Sequence, residues 1–204
     1  MLETDLTLPH SYQVEEIGDF PGAGNFKHPI FFYPPSKDGR EGSGLWVKFS
    51  VRDGKTWIGV FAFDYPSPPA FCRVVSSSDP NRVCVISNGA GYLVRTDKPE
   101  VWEKIPLIPI LGVRPVPAHG MLIFSDLTRL AAYNSNGLIW RSPQVCWDGL
   151  RIVEVTNQRI QGLGYDPTNS TSHERPFAVD LKTGASLLPG PESTDGRPLC
   201  DLNS

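Results

Sequence analysis

The most distinctive run for ligand chemistry lies at 145–149, where Val, Cys, Trp, Asp and Gly follow one another. An indole face beside a carboxylate suits recognition of a sugar ring or a cation, because the ring offers a stacking surface and the carboxylate a counter-charge. Trp147 and Asp148 are therefore the first candidate ligand-binding residues. The alternative interpretation is structural, with Trp147 covering a sheet edge and Asp148 capping a turn.

Three further charged residues are candidates for the same site, namely Asp126, Arg129 and Arg141. Asp126 and Arg129 stand where an earlier, similar segment has Asn88 and Gly91, so their charges are particular to the later segment. A charged pair that interrupts an internal repeat is either functional or simply exposed. Arg141 joins the set if neighbouring strands bring it close to the tryptophan.

Motifs for metal binding or covalent catalysis are missing from the sequence. The four histidines lack the spacing of metal ligands, and the four cysteines contain no Cys-x-x-Cys pair. Neither a nucleophile elbow nor a phosphate-binding loop is present. We therefore expect no metal and no cofactor, and the sequence assigns no catalytic residue.

Charge and hydropathy exclude some classes of partner. The net charge of −3 argues against a general nucleic-acid binder, which is normally basic. No apolar run reaches the roughly 18 residues of a membrane-spanning helix. The N-terminus lacks the features of a signal peptide, so a cytoplasmic protein is expected unless a leader was removed. The expected partner is another protein or a small polar ligand, not nucleic acid or a membrane.

The elements that must position these residues are predicted to be strands. The chain has 204 residues with 19 Gly and 20 Pro, a content typical of many short strands and turns. The proline-rich stretch 106–118 is predicted to be extended along an edge. No convincing helix is predicted; the best candidate is 125–133, and the internal repeat described below favours strand for its second half. Strands are predicted at 11–17, 45–51, 56–63, 71–76, 82–87, 92–96, 100–105, 121–124, 130–133, 138–141, 150–155, 159–165 and 177–181.

An internal repeat organises these strands. Two segments align without gaps at an offset of 38 residues. The matched pairs are 83–87 with 121–125, 92–94 with 130–132, and Trp102 with Trp140. The turn before Trp57 offers a third unit, and 182–187 a fourth, in which leucine replaces tryptophan. Repeats of about 40–45 residues that combine short strands, a turn and a tryptophan are typical of β-propeller blades.

Residues 131–140 and 178–184 resemble the strand pair of quinoprotein-like and WD-type β-propeller repeats, in which a glycine turn separates an alanine-rich strand from a tryptophan. The resemblance implies an all-β fold of propeller-like repeats of short antiparallel strands. We expect a single domain over 1–204, with a loosely ordered tail at 189–204. A β-sandwich or an irregular β-barrel is the alternative. Quinoprotein enzymes carry a quinone and calcium, but none of their site residues carries over, so the resemblance implies no cofactor here.

These observations favour a non-enzymatic binding or protein-interaction module that presents loops on a rigid β scaffold. The alternative is a carbohydrate-active or other hydrolytic enzyme that uses acidic loop residues beside an exposed tryptophan. That enzyme would need two carboxyl groups converging in one pocket at a separation suited to acid–base work.

Overall fold

The structure, a computed structural model, describes residues 2–17, 27–35, 44–63, 72–170 and 172–190. The chain divides into two compact units, residues 1–109 and 110–204. The expected tail lies outside the described residues from 191 onward, and a single domain over 1–204 stays a prediction. In the described part of the chain, no helix is long and apolar enough to cross a membrane.

The first unit consists of two small sheets. Its strands are β1 (Glu3–Asp5), β2 (Tyr12–Glu16), β3 (Ile30–Tyr33), β4 (Gly44–Val51), β5 (Thr56–Ala62), β6 (Arg73–Ser76), β7 (Arg82–Ser87), β8 (Ala90–Arg95) and β9 (Trp102–Lys104). One sheet has the order β2-β4-β5-β3 and the other β1-β6-β7-β8-β9. The pairs β4–β5, β6–β7, β7–β8 and β8–β9 are antiparallel hairpins, β2 pairs antiparallel with the distant β4, and β1 and β3 join the edges in parallel. A parallel edge pair needs strands that are distant in sequence, as these are.

Aromatic side chains join the two sheets of the first unit. The ring of Phe61 on β5 lies 5.6 Å from that of Tyr92 on β8, and the ring of Tyr33 on β3 lies 5.6 Å from that of Trp102 on β9, centroid to centroid. The same buried cluster includes Tyr92 from the second sheet. Each sheet therefore covers the apolar face of the other, and burial of these large rings supplies much of the stabilisation of this unit.

The second unit also contains two sheets. Its strands are β10 (Gly112–Val116), β11 (Met121–Ser125), β12 (Leu130–Asn134), β13 (Gly137–Arg141), β14 (Asp148–Val155), β15 (Arg159–Tyr165) and β16 (Glu174–Asp180). They form the antiparallel sheets β10-β11-β12-β13 and β14-β15-β16. One buried cluster contains Ile123 and Trp140 from the first sheet and Ile160 and Val179 from the second. The two sheets thus share a core.

Two tryptophans connect one sheet to the next within their unit. Trp57 Nε1 donates a hydrogen bond to the Thr96 carbonyl, and Trp140 Nε1 donates to the Leu181 carbonyl, both at 2.9 Å. The acceptor is in each case the residue that follows a strand, β8 or β16. Both indoles are buried, so each bond satisfies a donor that would otherwise be costly to bury.

The segments that match in sequence occupy corresponding strands. The pair 83–87 and 121–125 falls on β7 and β11, and the pair 92–94 and 130–132 falls on β8 and β12. Trp102 begins β9 and Trp140 lies on β13. The prediction of an all-β fold of small, propeller-like sheets is confirmed, since each sheet is built mainly from consecutive short strands.

The region between β11 and β12 differs from its helical interpretation. The segment 125–133 does not form a helix, because Ser125 completes β11 and Leu130 begins β12. β12 is buried between β11 and β13, so sheet pairing there outweighs local helical spacing. The one helical turn among the described residues is a 3-10 turn at Pro117–His119. It follows β10, which lies at a sheet edge as the proline-rich stretch predicts.

Candidate functional site

The turn between β11 and β12 is held by Asp126. Its Oδ1 accepts hydrogen bonds from the backbone N–H groups of Thr128 and Arg129, at 2.7 and 2.6 Å. The Asp126 N–H in turn donates to the Arg129 carbonyl at 3.0 Å. Asp126 is 8% exposed, so its carboxylate acts mainly as a buried cap for a tight turn.

The connection from β13 to β14 runs along this turn. The Val145 N–H donates to the Thr128 carbonyl at 2.9 Å, and the Leu150 N–H donates to the Leu127 carbonyl at 3.2 Å. The Cys146 thiol lies 3.5 Å from the same Leu127 carbonyl. These contacts fix the backbone on both sides of Trp147 and bring it close to the turn that carries Asp126.

Three residues form a row across the sheet β14-β15-β16. Asp148 pairs with Tyr165, and Tyr165 pairs with Glu174. Directly opposed residues of antiparallel strands share one face, so the tyrosine lies between the two carboxylates on that face. All three side chains are exposed, and Tyr165 is 45% exposed.

Two more residues border this row. The half-buried Trp147 immediately precedes Asp148, and the backbone N–H of Trp147 donates to the Tyr165 carbonyl at 3.1 Å. The His173 ring lies 6.1 Å from the Tyr165 ring, tilted by 31°. We call the set of Trp147, Asp148, Tyr165, His173 and Glu174 the Trp147 surface. Its members lie at one end of a sheet, where the Tyr165 and His173 rings adjoin two exposed carboxylates.

A buried thiol lies beneath this surface. The pKa of Cys146 is raised to about 12, first by burial and then by the negative charges of Asp148 and Asp126. Because the thiol stays protonated at neutral pH, it is not a nucleophile.

The predicted arginines take different positions. Arg129 belongs to the Asp126 turn and is half-buried, whereas Arg141 is exposed at the end of β13. Arg151, on β14, instead makes an ion pair with Glu174 at 3.7 Å. The structure therefore brings Trp147, Asp148 and the Asp126 turn together, and it adds Arg151 at the border.

The loop between β15 and β16 adjoins the Trp147 surface and fixes the position of His173. Asp166 accepts hydrogen bonds from the Thr168 N–H at 2.9 Å and from its hydroxyl at 2.6 Å, and it lies 3.6 Å from the Arg175 guanidinium. The Thr168 hydroxyl is the main cause that lowers the pKa of Asp166. The Asp166 N–H donates to the His173 carbonyl at 2.9 Å, which closes the loop and sets the position of His173.

Sequence reasoning did not select Tyr165 or Glu174. The two residues are nine positions apart, and only the register of β15 with β16 brings them side by side. The sequence signal for Tyr165 was its position as an aromatic residue at the end of a strand, just before the Asp166-Pro167 turn. Across the described ranges, no group of three or more His, Cys, Asp or Glu side chains is placed to hold a metal ion.

Neither a protein-family model nor a curated protein matches this chain. Among solved structures, the chain is similar to the N-terminal domain of Nup159, with a TM-score of 0.40 and 13% identity over 91% of this chain and 52% of that one. A structure of S. cerevisiae Dbp5 bound to Nup159, Gle1, IP6 and ADP matches with a TM-score of 0.26 and 9% identity, over 91% of this chain and 69% of that one. The chain thus spans about half the length of the Nup159 domain. Because both TM-scores are low, the description of the fold depends on the sheets of this chain itself.

Proposed function

We propose that this protein is a non-catalytic protein-interaction module that docks a partner on the Trp147 surface. The observation that carries the proposal is the row of Asp148, Tyr165 and Glu174, in which an exposed ring lies between two exposed carboxylates. The half-buried Trp147 immediately precedes this row in the chain. Aromatic side chains are enriched at the energetically important centres of protein interfaces.

The charges of the surface favour a basic side chain of the partner. Asp148 and Glu174 are negative, and Arg151 offsets Glu174 through their 3.7 Å ion pair. A lysine or arginine laid over the tyrosine or tryptophan ring would gain a cation–π contact, with Asp148 as its counter-charge. The preferred partner is therefore an extended segment that carries at least one basic residue.

The backbone of the surface is well ordered for binding. Hydrogen bonds hold Trp147 to β15, Val145 to the Asp126 turn, and His173 to Asp166. A preformed surface loses little conformational entropy on association, so a small contact area still gives useful affinity.

The carboxylates favour binding over hydrolysis. Asp126 Oδ1 already accepts two backbone N–H groups, and Asp148 Oδ1 accepts the Gly149 N–H at 2.7 Å. A general acid and base need oxygens directed at a substrate. Because Asp126 Oδ1 is already occupied by its turn, Asp126 supports the interaction module rather than the hydrolytic enzyme.

The test uses arrays of short peptides that differ in one lysine or arginine, with the wild-type protein as the soluble binder. We expect selective capture of basic peptides, and loss of capture in Trp147→Ala and Asp148→Asn with unchanged melting temperatures. Val153→Ala, on the same strand and 55% exposed, is the matched control and should bind normally. Equal capture of basic and acidic peptides, or equal binding by all variants, would contradict the proposal.

A further inference from the structure

The first unit contains a cavity of about 360 Å³ that takes no part in the Trp147 surface. Its apolar lining includes Phe31, Trp57 and Pro99. Phe31 meets Trp57 edge to face, with ring centroids 5.6 Å apart. The volume is at the small end of the range of ligand sites, roughly 300–1,000 Å³, and suits a molecule of one or two rings.

The lining of this cavity is fixed by hydrogen bonds. The Trp57 indole N–H is already bound to the Thr96 carbonyl, so the indole presents carbon rather than a free donor. The Pro99 carbonyl accepts from the Tyr33 hydroxyl at 2.8 Å, and the Pro29 carbonyl accepts from the Ile58 N–H at 2.9 Å. These bonds satisfy the backbone groups of the lining, and the site is preformed.

Two lysines line the same cavity. Lys27 and Lys55 contribute to it together with the His28 imidazole, against the carboxylate of Asp97. Arg95 holds that carboxylate in two hydrogen bonds, at 3.0 and 2.7 Å, and lowers its pKa. The positive charge of Arg95 thus offsets the negative charge of Asp97. Lys55 is exposed and bonds to Asp53 at 2.8 Å, a surface pair that an incoming anion displaces at small cost.

From this arrangement we propose that the cavity binds a small aromatic carboxylate. The ring contacts Phe31, Trp57 and Pro99, and the carboxylate faces Lys27, Lys55 and His28. Apolar contact with a preformed pocket supplies the affinity, and the cations select the anion. The site is independent of the proposed docking of a protein partner, because all its residues belong to the first unit.

The test compares three probes with the same ring system: 2-naphthoate, neutral 2-naphthylmethanol and cationic 2-naphthylmethylamine. Calorimetry should show 2-naphthoate binding about tenfold more tightly than the alcohol, the size expected of a charge-assisted contact. The Trp57 indole N–H resonance should shift on titration, which places the probe in this cavity. Equal affinity for all three probes, or shifts confined to residues outside the cavity, would overturn the proposal.

Variants on exposed side chains complete the test without disturbing the fold. The double variant Lys27→Ala with Lys55→Ala should lose most of the preference for 2-naphthoate over the alcohol. Lys104→Ala, which removes a lysine from β9 outside the cavity lining, should keep that preference. If the double variant discriminates as well as wild type does, the lysines do not select the ligand and the inference is wrong.

Discussion

At the residue scale, single polar atoms determine how the strands meet. Buried indole N–H groups bind carbonyls of the neighbouring sheet, and aspartates cap turns by accepting backbone N–H groups two or three residues ahead. Asp126, Asp166 and Asp180 all act in this way. The structural interpretation of acidic residues as turn caps therefore explains most of the aspartates at strand ends in the second unit.

Replacing Trp140 with phenylalanine should lower the free energy of unfolding by about 1–3 kcal/mol, because the buried Leu181 carbonyl loses its donor. The quantity is measured by urea unfolding. Trp102→Phe is the repeat-matched control, since the Trp102 indole makes ring contacts but no hydrogen bond among the described residues, and it should cost less. Equal losses for the two variants would show that the hydrogen bond contributes nothing beyond the volume of the ring.

Replacing Asp166 with asparagine tests the charge of a turn cap. The pKa of Asp166 is lowered in the folded state by the Thr168 hydroxyl and by Arg175, so its charge stabilises the fold above the unfolded pKa of about 3.9. That contribution is lost as the pH falls through the folded pKa. The variant should be less stable than wild type at pH 7, and the difference should shrink as the pH drops below about 4.

Urea unfolding at a series of pH values gives that difference. Glu154→Gln, an exposed residue of β14, should track wild type throughout. A gap between Asp166→Asn and wild type that is independent of pH would show that shape, and not charge, is the contribution of Asp166.

At the element scale, close packing of β15 against the β13–β14 connection positions Trp147. A Cβ added at Gly164 would collide with the Cβ of Cys146 and lie 2.6 Å from its Sγ. Only a residue without a side chain lets the connection approach the strand this closely. Gly164 is thus an indirect determinant of the Trp147 surface, since Cys146 precedes Trp147.

Gly164→Ala should cost about 1–3 kcal/mol of unfolding free energy, the usual penalty of overpacking a buried contact. Adding Cys146→Gly removes the obstructing Cβ and should recover part of the loss, so the two changes should be non-additive. Chemical denaturation of the single and double variants measures the coupling. Strict additivity would contradict direct packing of Gly164 on Cys146.

Much of the element pattern is predictable from the sequence, and the site is predictable only in part. Runs such as 45–51 and 56–63 predict β4 and β5 because β-branched and aromatic residues flank an Asp-Gly turn. The position of Trp147 just before a strand follows from the same logic, although β14 begins at Asp148, two residues before the predicted start. Tyr165 and Glu174 escape prediction because register, not sequence spacing, makes them neighbours of Asp148. The helical spacing of 125–133 is overridden by burial in a central strand, as the internal repeat predicts for its second half.

At the scale of the whole molecule, the chain is an array of small sheets in which each unit builds a core between two of them. Each sheet buries an apolar face against the other sheet of its own unit. Rigid sheets leave loops and strand ends for recognition. The Trp147 surface on the second unit is the part of this array that we expect to contact a partner.

The most direct test of this account is the binding isotherm of one basic peptide, selected on the array, for wild type and for Asp148→Asn. The substitution keeps the size of an exposed side chain and removes only its charge. We predict weakening of about tenfold, typical of a lost charged contact, with an unchanged melting temperature. Unchanged affinity would contradict the proposal that the Trp147 surface recognises a basic partner.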